Sequence, residues 1–150
     1  MTAVPPGPAS GPNPAGSTPR FPAASLIWAL ALGTFALVRP LLKITGVVGE
    51  SGPVSSAVGS LGATAVITLV WVLVVGLSRI PRPLLTLIAA GLTYGVLSIL
   101  LSGVLSPILL GQLEGPLAHP IAIPMVLLTN LVWGAIAGGL ALGLRRLRRV

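Results

Sequence analysis

Four side chains are candidates for general acid–base work: Glu50, Glu114, His119 and Tyr94. Such catalysis needs a group of suitable pKa held against its substrate, with a second group to complement it. No two of these four are placed by helical spacing to cooperate. His119 stands without a neighbouring His or Cys, which makes it a poor metal ligand and a better residue for the turn before a helix. The absence of Cys removes thiolate metal sites, disulfides and cysteine nucleophiles together. The chain is expected not to be an enzyme and to use neither cofactor nor metal.

The remaining polar residues group differently. Counted at the α-helical rise, Tyr94 and Asn130 each lie about 15 Å into an apolar stretch, and Thr68 and Thr34 reach similar depths. These four predict a polar layer near the middle of a bilayer. An unpaired amide is costly in hydrocarbon, so Asn130 is expected to face other helices and to find a partner such as Tyr94. Ser56, Ser60, Thr64 and Thr68 recur every four residues and form a slowly winding hydroxyl stripe. Such a stripe could line a narrow aqueous path, or bond back to its own helix.

Arg39 and Lys43 are four apart and share one helix face at the far end of the first stretch. Long basic side chains there snorkel to headgroups, and the pair are candidate contacts for an anion or a lipid headgroup, with Glu50 as a further participant. The run Leu37-Val38-Arg39-Pro40-Leu41-Leu42-Lys43 resembles a segment of a small four-span family described as holin-like. The Thr-Leu-Pro-rich stretch that follows in that family is absent here, and the resemblance carries no function over. Arg145, Arg146, Arg148 and Arg149 form a basic tail beside the last stretch, suited to anionic headgroups or to an acidic partner.

Four apolar stretches must position these groups: about 22–43, 57–78, 84–110 and 120–144. Each exceeds the roughly 20 residues that a helix needs to cross about 30 Å of hydrocarbon. Of 150 residues, 54% are hydrophobic and 7% charged, too apolar a balance for a soluble core of this size. The predicted fold is an all-α integral membrane protein, a four-transmembrane-helix bundle over residues 21–150 with a disordered tail over 1–20. The tail is rich in Pro, Gly, Ala and Ser and cannot bury enough apolar surface to fold. It lacks a basic leader region and a twin-Arg pair, so the first span reads as a retained signal anchor.

The net charge of +7 is distributed as a topology signal and not as a nucleic-acid footprint. With the N-terminus cytoplasmic, Arg20, Arg79, Arg82 and the four tail arginines lie inside, and Arg39 and Lys43 outside. Both termini are therefore expected in the cytoplasm, with the chain in the plasma membrane. Trp28, Trp71 and Trp133 then fall at similar depth on the cytoplasmic side, as interfacial or packing residues. Prolines at 81 and 83 make the connection between spans two and three very short, so these spans are antiparallel neighbours.

Small residues recur at helical spacing: Gly91 and Gly95 in span three, followed by Ser98, Ser102 and Ser106, then Gly134 and Gly138 in span four, and a second run of Ala135, Gly139 and Gly143. In lipid such faces let backbones approach closely, within one bundle or between two copies. The two halves of the chain show no convincing inverted repeat. Taken together, the residues point to a non-catalytic accessory or structural membrane subunit. The alternative is a small oligomeric transporter or channel built on the mid-membrane polar layer. Expected partners are anionic headgroups of the bilayer and a further copy or larger membrane complex.

Overall fold

The computed structural model describes residues 22–45, 47–48, 55–113 and 115–148. The 1–20 tail, Glu50, Glu114 and Arg149 lie outside them. The chain is all-helical: α1 (Ala23–Phe35), α2 (Val38–Ile44), α3 (Ser56–Leu77), α4 (Pro83–Leu110) and α5 (Ala122–Leu147). The first two together make one span, Ala23–Ile44, and the others one each, so the described residues contain four spans long and apolar enough to cross a membrane. This is a multi-pass helical membrane protein. The fourth span begins at Ala122, two residues beyond Pro120, and runs to Leu147, carrying its basic residues into the last helical turn.

The division of the first span has a local cause. Pro40 has no backbone N–H to give to the Ala36 carbonyl, and its ring crowds the turn behind it. The backbone tightens instead: Leu37 N–H bonds the Thr34 carbonyl at 3.0 Å and Arg39 N–H the Ala36 carbonyl at 3.1 Å. The helix thus stops at Phe35 and restarts at Val38.

Packing follows where side chains are smallest. The principal contacts are α4 against α5, α1 against α4, and α3 against α5, with α2 touching α3. A Cβ added to Gly91 would run into the Asn130 carbonyl, and one added to Gly134 into the Leu87 carbonyl. On Gly138 it would lie 2.9 Å from the Leu84 Cα. The paired glycine faces of α4 and α5 are consumed within one bundle, where close approach gains dispersion contacts that lipid cannot supply. Gly139 and Gly143 face open space. The α1–α4 contact uses the same device, with Gly33 set against Ala90 and Thr93.

The core is Ala29, Leu32, Ala36, Ile67, Trp71, Val75, Leu87, Ala90, Tyr94, Ala137 and Ala141. Leucine, valine and isoleucine cover the outside, as a lipid-facing surface requires. The start of α1, the 78–82 turn and the end of α5 meet at one end: Ser25 Oγ donates to the Pro81 carbonyl at 2.9 Å. Both described ends of the chain therefore lie on the same side. The turn itself places Arg82 at φ 52°, a left-handed conformation for a residue flanked by two prolines.

Candidate functional site

Of the four residues predicted to form a mid-membrane layer, three lie close to one aromatic cluster. Trp71 of α3 and Trp133 of α5 stack with ring centroids 4.7 Å apart and planes inclined by 22°. Tyr94 of α4 meets Trp133 edge-on at 5.7 Å. The Trp133 indole N–H donates to the Thr68 hydroxyl at 2.9 Å, and the Trp71 N–H to the Leu32 carbonyl at 3.1 Å. Asn130 is buried beside Gly91 and Gly95. Thr34 stands apart, exposed on the outer surface of α1.

The predicted partner of Asn130 is different in the structure. Its amide donates to the Val126 carbonyl of its own helix at 2.8 Å, and no hydrogen bond joins it to Tyr94. The hydroxyl stripe of α3 behaves the same way: Thr64 bonds the Ser60 carbonyl at 2.8 Å and Thr68 the Thr64 carbonyl at 2.7 Å. Polar groups in a membrane helix satisfy themselves on the carbonyl one turn back, which needs no water.

The basic residues fall into two environments. At the end where α1 begins and α5 ends, Arg145 reaches from the last turn of α5 to the last turn of α3. Its Nε and Nη2 bond the Val75 carbonyl at 3.1 and 2.7 Å, and Nη2 bonds the Ser78 carbonyl at 2.7 Å. Arg148 adds a longer bond to the Leu77 carbonyl at 3.3 Å. A guanidinium fork thus caps carbonyls that have no partner inside α3 and neutralises the negative end of its dipole. Arg145, half-buried, is held by protein, whereas Arg146 is exposed.

At the opposite end the basic pair stands in two adjoining clefts. One, about 350 Å³, is lined by Arg39, Tyr94, Ser98, Met125, Thr129 and Asn130. The other, about 670 Å³, lies between α2 and α4 and is lined by Pro40, Lys43, Ser98, Ser102, Ser106 and three leucines of α4. Ser98 belongs to both. The clefts lie where the first span changes neighbours, α1 packing on α4 and α2 on α3. Among the described residues neither the Arg39 nor the Lys43 side chain has a hydrogen bond or ion pair.

Sequence reasoning placed Arg39 with Lys43, and separately noted Tyr94, Asn130 and the serines. It missed that one wall collects them. Ser98, Ser102 and Ser106 share the four-residue spacing of Arg39 and Lys43, with Pro40 inside the pair; that combination was the available signal. His119 is exposed in the loop before α5, its carbonyl accepting the Ala122 N–H at 2.8 Å. No group of metal-binding residues occurs among the described residues. The clefts offer cations, hydroxyls and an amide, which can hold an oxyanion. Comparison with protein-family models, with characterised proteins and with solved structures returned no match.

Proposed function

We propose that this chain is a non-catalytic accessory or structural membrane subunit, seated in the plasma membrane with both termini cytoplasmic. The observation that carries this reading is the use made of the bundle's polar interior. Trp71, Trp133 and Asn130 bond either to backbone or to the hydroxyl of Thr68, fastening helices to each other or satisfying their own. The glycine faces of α4 and α5 are equally committed. Arg79, Arg82, Arg145, Arg146 and Arg148 at the end bearing the termini, against Arg39 and Lys43 at the other, support the orientation.

Native gel electrophoresis of mildly solubilised membranes tests the subunit role. Migration within a larger, reproducible assembly is expected, and migration as the isolated chain would overturn it. A reporter fused to the C-terminus should be active in the cytoplasm. A second reading, a small oligomeric transporter or channel, is favoured by the cleft that reaches Tyr94 and Asn130 from the far end. Solute flux in liposomes that is abolished by Asn130→Leu would replace the first reading by the second.

A further inference from the structure

The two ends of the bundle treat arginine differently, and the contrast defines a site. Arg145 gives three bonds to the carbonyls of Val75 and Ser78. Arg39, also half-buried, lines a cleft without any protein partner among the described residues. A guanidinium at membrane depth is expensive unless an anion or a ring of carbonyls meets it. Lys43 stands one turn further along the same face, also unpaired, and the described lining of both clefts contains no carboxylate.

The surroundings narrow the choice of anion. Ser98 lies about 22 Å from the start of α4, and Ser106 about 34 Å from it, so the serine row crosses the level at which hydrocarbon gives way to headgroups. Beside the serines the wall is Leu101, Leu105, Leu109 and Ile44. A cationic and hydroxylated edge next to an apolar wall matches an amphiphile, with its phosphate on the first and an acyl chain along the second.

We propose that these joined clefts bind the phosphate of an anionic phospholipid in the leaflet opposite the termini. The Arg39 guanidinium takes two phosphate oxygens in its planar fork, and Lys43 supplies a second positive charge toward the headgroup. The Tyr94 hydroxyl lies in the same cleft as a further donor, whereas the Ser98 hydroxyl is given to the Gly95 carbonyl at 2.9 Å. With two cations and no acid among the described lining residues, a headgroup bearing its own ammonium is repelled. Phosphatidylglycerol is therefore preferred to phosphatidylcholine. The site requires only the four-span fold and stands or falls separately from the subunit role.

The full-length chain, purified in a neutral detergent, is titrated with phosphatidylglycerol or phosphatidylcholine and bound lipid is counted by native mass spectrometry. Phosphatidylglycerol is expected to bind roughly tenfold more tightly, and Arg39→Gln or Lys43→Gln to remove most of that preference. Arg39→Lys, which keeps the charge but loses the fork, should fall between, and Arg79→Gln, at an exposed position of the other end, should bind like the parent. Lys43 is exposed, so its replacement keeps the test intact if Arg39→Gln does not fold. Equal binding of the two lipids, or equal loss in Arg79→Gln, would overturn the site. Competition by inorganic phosphate at comparable affinity would overturn the lipid as occupant and leave a free oxyanion in its place.

Discussion

Trp71 and Trp133 stack face to face across α3 and α5, and each indole N–H leaves the stack for a different acceptor, the Leu32 carbonyl and the Thr68 hydroxyl. One aromatic pair thereby ties α1, α3 and α5 at a single level, with Tyr94 bringing in α4 edge-on. In hydrocarbon, where apolar side chains gain nothing by leaving lipid, such directional contacts decide which helices are neighbours.

Replacing Trp71 with Phe keeps most of the stack and removes the bond to Leu32. Loss of a buried hydrogen bond costs about 1 kcal/mol. Unfolding in mixed micelles should report a destabilisation of that order, and a Trp71→Leu and Trp133→Leu cycle should show coupling of about 0.5–1.5 kcal/mol.

The two glycine runs of α5 should respond in opposite ways. Gly134→Ala places a methyl group against the Leu87 carbonyl and forces α4 and α5 apart, for about 1–3 kcal/mol of lost stability. Gly139→Ala and Gly143→Ala meet open space and should be neutral or slightly stabilising in the isolated chain, because alanine favours helix. Thermal unfolding of the three variants side by side provides the comparison.

A Tyr94→Phe and Asn130→Leu cycle should give a coupling below about 0.5 kcal/mol, since Asn130 bonds Val126 and not Tyr94. A larger coupling would mean that the two side chains meet directly.

Arg145→Gln should uncap α3. The guanidinium is half-buried and partly screened, so the loss is about 1–2 kcal/mol, concentrated in the last turn of α3. Amide exchange at Val75–Ser78 should quicken, while Arg146→Gln leaves it unchanged.

Arg82→Asn should stabilise the turn by about 0.5–1 kcal/mol, because asparagine tolerates the left-handed region better than arginine. A drop in melting temperature would show that the Arg82 side chain has a compensating role.

The four spans were legible because length and apolarity act through every residue of a segment. The single-residue geometries were not. Pro40 was visible in the sequence, yet whether a proline kinks a span or stops it depends on what replaces the lost bond, here the tighter turn at Ala36 and Leu37. Gly91 with Gly95 and Gly134 with Gly138 were recognisable as close-packing faces, but only the fold could show that they meet each other. Arg145 looked like its neighbours in the basic tail. Its separate role comes from α3 ending one arginine's reach away, a distance that no local pattern encodes. Asn130 read as a residue in search of an interhelical partner, whereas the Val126 carbonyl one turn back takes its amide.

The interruption at Pro40 divides the first span into parts of unequal local stability. Ahead of it, α1 is keyed into α4 through Gly33 and held at Leu32 by Trp71. Beyond it, α2 has seven residues and none of them buried. Opening of α2 therefore exposes little that was hidden and can occur without unfolding the bundle. The backbone amides of Leu41 and Leu42 should exchange with solvent long before those of Leu32 and Gly33. Arg39 and Lys43 thus ride on the least anchored helix of the bundle, beside α4, which is packed on both α1 and α5.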